Sequence, residues 1–223
     1  MIVAIHQPNH LPYLGFFDKV LKSDIFVIHD DAQFNDSDFQ RRNRIRVYKG
    51  WKWITVPVER KEIPINKIMI KNDVNIGERS WNRAHFEIIQ GWYKNAPYFE
   101  TYKDDLRKIY ESKHDKLANF NIEIIKFLIK AFDLEIKIVF SSDFNLPSKK
   151  TERIIDTVRA VGGDTYLSGP AGKDYMDLSL FKDIELQFQN FKHPEYPQCY
   201  AGFVPNMSAI DALFNVGKLP MEY

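Results

Sequence analysis

The sequence predicts an α/β protein with a mostly parallel, Rossmann-like sheet flanked by helices, plus an inserted antiparallel β element and a helical segment. Short, nearly continuous apolar runs at residues 2–6 and 25–30 are typical of strands that are covered on both faces. A helical stretch at residues 13–23 joins them. Strand and helix patterns alternate again after residue 135, which favours one sheet that is completed late in the chain.

The first strand, helix and second strand form a predicted βαβ unit over residues 2–30. The connection is long enough for a right-handed crossover between parallel strands. The HQPNHLP segment follows the first strand directly, so we expect it at the carboxyl end of that strand. Open α/β sheets bind ligands at this edge.

The next segment, residues 44–70, has a sequence pattern typical of an antiparallel β insertion. RIRV, KWITVPV and INKIMI are short, β-rich and partly alternating, and YKGW supplies a turn between the first two. We therefore expect an inserted antiparallel β element here.

Residues 78–132 are predicted to be helical. One helix should end near Pro97, and Ser112 followed by Asp115 has the pattern of an N-cap that opens a third helix. An apolar stripe in that third helix predicts a buried face, and its residues are Leu117, Phe120, Ile124, Leu128 and Phe132.

The last third of the chain completes the predicted sheet. Strands are expected at 135–140, 165–168 and 185–191, with a helix at 149–161. SAIDALFNVG predicts a closing helix that Gly217 terminates. Without a repeat or a Ser/Gly linker, we expect residues 1–223 to form a single domain.

Composition limits the kind of partner. The chain has 223 residues, 31 basic and 30 acidic, so its net charge of about +1 does not favour nucleic acid. It has one cysteine, Cys199, no cysteine-rich zinc motif, no apolar signal segment and no long apolar run. We therefore expect a soluble, cytoplasmic protein that binds no membrane.

Polar side chains crowd the predicted edge of the sheet. His6, Gln7, Asn9 and His10 fall within five residues after the first strand. The second strand is followed by the polar residues Asp30, Asp31 and Gln33. Histidines with carboxylates are able to bind a divalent metal, orient an amine or act as acid and base, and the sequence leaves these three alternatives open. The spacing matches no closed metal motif, so metal is the least favoured of them.

Two further segments carry candidate binding residues. QRRNRIR supplies four guanidinium groups that suit phosphate or carboxylate, those of Arg41, Arg42, Arg44 and Arg46, although a solvated strand face has the same composition. YLSGPAGKDY places glycines beside a lysine after a strand, which permits backbone N–H groups to approach an anion. An ordinary strand-to-loop turn is the alternative there.

An ordered series of segments over nearly the whole chain resembles the WbqC-like family of bacterial surface-polysaccharide proteins. The series is IHQPNHLPYLGFFDKV, DDAQF, RRNRIR with KGWKWITVPV, HFEIIQGWYKNAPYF, YLSGPAGKDY and KHPEYPQCYAGFVPNMSAIDALFNVG. The resemblance implies an enzyme of O-antigen or lipopolysaccharide biosynthesis that decorates an amino sugar by acyl or aminoacyl transfer. The acceptor is expected to be nucleotide-linked, with ATP or an activated acyl donor as the co-reactant.

This hypothesis assigns roles to particular residues. His6 or His10 would orient or deprotonate the amine, and Asp30 would position that base. The expected substrate-binding residues are Gln7, Asn9, Tyr13, Asp31, Gln33, Arg42, Asn43, Arg44, Ser168, Gly169, Gly172, Lys173, Asp174, Tyr175, His193 and Tyr196. The alternatives are a metal-dependent sugar deacetylase, with His6, His10 and Asp31 as ligands, and a non-catalytic carbohydrate-binding protein.

Overall fold

A computed structural model describes residues 1–221, and these residues form two compact units. The sheet unit comprises Met1–Gln7, Gly15–Asp31 and Glu135–Lys192. The hairpin–helix unit comprises Pro8–Leu14, Ala32–Leu134 and the described residues from His193 onward. The expectation of a single domain stays a prediction.

The sheet unit is built on a parallel five-stranded sheet, which confirms the predicted fold class. The strands lie side by side in the order Lys137–Phe140, Ile25–Ile28, Ile2–His6, Thr165–Ser168 and Glu185–Phe188. All five predicted strands are present, and the first βαβ unit is parallel as expected. The strands are β1 (Ile2–His6), β2 (Ile25–Ile28), β7 (Lys137–Phe140), β8 (Thr165–Ser168) and β9 (Glu185–Phe188).

Helices cover both faces of this sheet. Side chains of each strand alternate between the two faces, so each strand packs against helices on both sides. Val3, Ile5 and Val27 pack with residues of α5 (Lys150–Ala160) on one face. On the other face, Phe16 of α1 (Leu14–Leu21) contacts His6 and Phe26. Burial on both faces explains why the strands read as continuous apolar runs.

The hairpin–helix unit contains an antiparallel hairpin of β3 (Arg42–Arg46) and β4 (Trp51–Thr55), as the RIRV, YKGW and KWITVPV segments predicted. INKIMI, although β-rich in sequence, forms no regular strand. Pro64 leads into a 3₁₀ turn at Ile65–Lys67, and only Met69 and Ile70 make isolated β-bridges. A second hairpin, β5 (Asn75–Ile76) with β6 (Arg79–Ser80), was not predicted.

The helical segment contains α2 (Trp81–Tyr93), α3 (Phe99–Glu111) and α4 (Leu117–Ala131). The predicted apolar stripe of α4 is buried, which confirms it. The predicted N-cap is wrong, because α4 begins at Leu117 after Lys116 without a side-chain cap. The Ser112 hydroxyl instead donates to the carbonyl of Lys108 at the end of α3.

The chain closes with α7 (Ala209–Val216), which ends at the left-handed Gly217 as predicted. A short helix, α6 (Gly172–Tyr175), follows β8 in the sheet unit. No helix within residues 1–221 has the length and apolar character needed to span a bilayer.

Candidate functional site

The carboxyl edge of the parallel sheet gathers the polar ends of several strands. His6 ends β1, Asp30 and Asp31 follow β2, Ser141 follows β7, and Ser168 ends β8. Because β1 pairs directly with β8 and Ala4 is in register with Leu167, His6 and Ser168 lie near the same edge on neighbouring strands. This edge of the sheet unit is the candidate site.

His6 is a neutral imidazole with one nitrogen committed. Its Nδ1 lies 2.9 Å from the carbonyl of Gln7, and a carbonyl only accepts, so Nδ1 carries the hydrogen and Nε2 keeps its lone pair. Burial, followed by the charge of Lys19, lowers the pKa of His6 to about 3. His6 is therefore a hydrogen-bond acceptor at physiological pH.

Asp30 is held by the turn that follows β7. Its carboxylate accepts hydrogen bonds from the Ser142 amide at 3.1 Å and the Ser142 hydroxyl at 2.8 Å, and the Ser141 hydroxyl oxygen lies 3.3 Å from it. Within residues 1–221, His6 is not among its hydrogen-bond partners. Asp30 thus ties β2 to the neighbouring strand end, and the geometry gives no support to its predicted role of positioning the base.

Asp31 is also paired within the sheet unit. Arg153 of α5 and the Ser141 hydroxyl both donate to its carboxylate. His29 Nε2 lies 3.6 Å from it, while the His29 backbone N–H donates to the His6 carbonyl at 2.8 Å. Sequence reasoning missed His29, Ser141, Ser142 and Arg153; the run IHDD was a signal for His29 alone.

A buried lysine adjoins His6, and sequence reasoning missed it too. Lys19 of α1 is 3% exposed, and its Nζ donates to the carbonyl of Ile5 at 2.8 Å. Burial lowers the pKa of this amine to about 7. The signal in the sequence was its position three residues after Phe16, which puts it on the buried side of α1.

The loop after β8 folds back over Ser168. A side chain at Gly172 would collide with the Ser168 hydroxyl and come within 2.8 Å of Met176 Cε, so the backbone approach needs glycine. The Gly172 amide donates to the Gly169 carbonyl at 3.0 Å, and the Asp174 amide donates to Ala171 at 3.1 Å. These two N–H groups are therefore engaged inside the turn instead of facing an anion.

Side chains of the same loop are mostly exposed. Lys173 Nζ lies 4.7 Å from the centre of the Phe188 ring, a cation–π contact. Asp174 is exposed, and Tyr175 is 67% exposed. Their predicted roles in substrate binding stay predictions.

His10 lies in the hairpin–helix unit and is completely buried. Its ring stacks on Phe120, and its nitrogens contact the Asn121 amide oxygen at 3.2 Å and the Tyr110 hydroxyl at 3.4 Å. Burial lowers its pKa to about 3. This environment is that of a histidine that stabilises a core, and we do not assign His10 a catalytic role.

Most other candidates in this unit also have internal partners. The Asn43 amide donates to the carbonyls of His10 at 3.2 Å and Leu11 at 2.8 Å, so it fixes the backbone at these two residues. Asn9 is buried, Tyr13 forms an isolated bridge with Ser208, and Gln33 is exposed and bridges Pro64 through its backbone.

Arg42 and Arg44 stack on the indoles of β4. The Arg42 guanidinium lies 4.6 Å from the centre of the Trp53 ring, and that of Arg44 lies 5.2 Å from Trp51. In the part of the chain that the structure describes, neither forms an ion pair with a carboxylate. Their predicted binding of phosphate stays a prediction.

A buried carboxylate organises the segment that contains His193 and Tyr196. Asp211 accepts from the hydroxyls of Tyr196 and Tyr93, both at 2.9 Å, and from the Gln198 amide at 2.7 Å. His193 stacks on the Tyr196 ring with centroids 6.2 Å apart. The buried role of Asp211 was not predicted, because a charged residue in an otherwise apolar helix is normally expected to be exposed.

Among residues 1–221, no group of three or more His, Cys, Asp and Glu side chains is arranged to hold a metal ion. Both carboxylates of the sheet edge are already paired, with serines and with Arg153. The arrangement that the edge offers is a neutral imidazole acceptor beside a buried amine.

In comparison with known protein families, the model of the WbqC-like protein family matches residues 7–223. An uncharacterized protein of Mycobacterium tuberculosis, Rv1507c, is 32% identical over 225 residues, which covers 99% of this chain and 96% of that protein. No solved structure matches.

Proposed function

The chain belongs to the WbqC-like protein family, and we propose that it is an amide-forming transferase that moves an acyl or aminoacyl group onto an amino sugar. The acceptor would be nucleotide-linked and would serve the synthesis of a bacterial surface polysaccharide. The site is the carboxyl edge of the sheet unit. The observation that carries the proposal is the Nε2 of His6 at the end of β1, which keeps its lone pair and has no hydrogen-bond partner among residues 1–221.

His6 suits the orientation of an amine better than its deprotonation. A sugar ammonium of pKa ~8 would transfer its proton to the His6 imidazole, whose pKa is about 3, with an equilibrium constant of about 10⁻⁵. Deprotonation by His6 is therefore strongly unfavourable. An acceptor amine that arrives neutral, in contrast, donates one N–H to Nε2 and keeps its lone pair for attack. Correct orientation of this kind lowers the barrier by converting a bimolecular step into an effectively unimolecular one.

The reaction balances with an activated acyl donor, a thioester or an acyl phosphate. The amine nitrogen attacks the acyl carbon, and a C–N bond forms. The bond from that carbon to sulfur or to phosphate oxygen breaks, and the leaving group departs with the electron pair. The surplus amine proton passes to water.

The test is turnover measured by mass spectrometry. Purified protein is incubated with nucleotide-linked amino sugars and a panel of acyl thioesters and acyl phosphates, and the acceptor is expected to gain the mass of the acyl group. H6A is expected to lower the rate by about a hundredfold or more. Q187A, an exposed change on β9 of the same sheet, is the matched control and should keep the wild-type rate.

Two results would count against the proposal. The first is the absence of any mass gain across the panel with protein that is folded by circular dichroism. The second is a transfer rate in H6A that equals the rate of the Q187A control, since His6 would then take no part.

A further inference from the structure

The ε-amine of Lys19 is buried with most of its hydrogen-bonding capacity unused. An ammonium has three N–H donors, and in the described structure Nζ has one acceptor, the carbonyl of Ile5 at 2.8 Å. Lys19 is 3% exposed, so its amine is largely shielded from bulk solvent. A buried charge of this kind is costly unless it is paired.

No acid compensates for it within residues 1–221. The neighbouring Asp18 binds Lys22 at 2.6 Å and Gln189 at 2.6 Å, and no ion pair joins it to Lys19. The charged groups that lower the pKa of His6 are Lys19 and His29, both basic. Asp30 and Asp31 lie beyond His29 and are held by Ser141, Ser142 and Arg153.

At the carboxyl end of β1, the described residues therefore include the basic groups of Lys19, His6 and His29, and no carboxylate there lacks a partner. We refer to these three side chains as the corner. Lys19 Nζ reaches the last carbonyl before His6, and His6 is partly exposed, so this corner borders solvent. A negatively charged ligand is the group that this arrangement lacks, because it would supply both the counter-charge and the missing acceptors.

We propose that the ε-amine of Lys19, beside His6 at the carboxyl end of β1, is a binding group for a small oxyanion, either a phosphate or a carboxylate. This inference goes beyond acyl transfer and does not depend on it. Charge-assisted hydrogen bonds from Nζ would hold the anion.

Proton uptake is the signature of such a site. Because burial lowers the pKa of Lys19 to about 7, most of the free protein carries a neutral amine at pH 8. A bound anion favours the charged form and raises that pKa again. Binding at pH 8 should therefore take up close to one proton for each site.

The experiment is isothermal titration calorimetry with inorganic phosphate and with acetate at pH 8. Each titration is repeated in buffers of different ionisation enthalpy, which yields the number of protons taken up. Wild-type protein is expected to bind at least one of the anions saturably with proton uptake, and the stronger of the two identifies the source as phosphate or carboxylate.

Three variants complete the test. K19M should weaken binding by about tenfold or more and abolish the uptake. K19R keeps the charge permanently, so it should bind the anion without proton uptake. Binding by K19R would also show that the loss of binding in K19M is not caused by misfolding. K22M changes a solvent-exposed lysine just beyond the end of α1 and should behave as wild type.

The proposal is overturned if neither anion binds saturably to the folded wild-type protein, if wild-type binding occurs without proton uptake, or if K19M binds like K22M. None of these measurements uses turnover. Absence of anion binding would therefore not contradict acyl transfer, and absence of acyl transfer would not contradict anion binding.

Discussion

Tyr196 donates a hydrogen bond of 2.9 Å to the carboxylate of Asp211, which is completely buried in α7. Tyr93 and Gln198 donate to the same carboxylate. One acid thereby joins the segment after residue 193 to the helices of its unit. This explains how a segment with several prolines and little regular structure is held in place.

We expect D211N to destabilise the protein by about 2–4 kcal/mol, because an amide presents two donors where the carboxylate accepts from several. Urea denaturation followed by circular dichroism measures this change. D104N, at an exposed position on α3, is the control and should stay within about 0.5 kcal/mol of wild type. Equal effects of the two substitutions would show that the Asp211 network does not stabilise the fold.

Lys19 should make stability rise with pH above neutrality. Its pKa is about 7 when folded and about 10.4 when unfolded, so between these values the unfolded chain binds more protons. The free energy of unfolding should then increase by up to ~1.4 kcal/mol per pH unit from this group. Urea denaturation at pH 7, 8 and 9 measures the slope.

K19M should flatten that slope, and K22M should retain it, because the Lys22 side chain is half exposed and paired with Asp18. A slope in K19M as steep as that of wild type would mean that Lys19 keeps an ordinary pKa in the folded protein.

His6 and His10 should remain neutral across the physiological range. Burial is the first cause of the lowered pKa of each, and both values lie at about 3. In NMR titrations, their Cε1–H resonances should not move between pH 8 and pH 5. The nitrogen shifts of His6 should show hydrogen on Nδ1, which donates to Gln7. A midpoint above pH 5 for either ring would contradict the described burial.

G172A should destabilise the sheet unit by about 1–3 kcal/mol, because the added methyl group would overlap the Ser168 hydroxyl and crowd Met176. G169A is the matched control three residues earlier, where a methyl group meets nothing within 4 Å. The double substitution S168A/G172A should recover part of the loss. Free energies of unfolding from urea denaturation compare all three, and indistinguishable values for G172A and G169A would refute the close approach.

The strands of the sheet were predictable from local patterns. A strand covered on both faces must be apolar at nearly every position, and Ile2–His6 and Ile25–Ile28 show this pattern within a few residues. The same logic placed His6 and Ser168 at strand ends. INKIMI is β-rich without forming a regular strand, because Ile65, Ile68 and Ile70 are buried in a turn whose apolar spacing imitates a strand.

By itself the sequence determined the α/β class, the parallel sheet and the position of His6 at its carboxyl edge, because these follow from periodicities of a few residues. Tertiary structure decided the state of each polar group: that His10 lies in a core, that Asp30 and Asp31 are already paired, and that Lys19 is buried beside His6. Hydrogen bonds and desolvation depend on groups more than a hundred residues away in the chain, such as Ser142 for Asp30 and Arg153 for Asp31, and no local pattern encodes those partners.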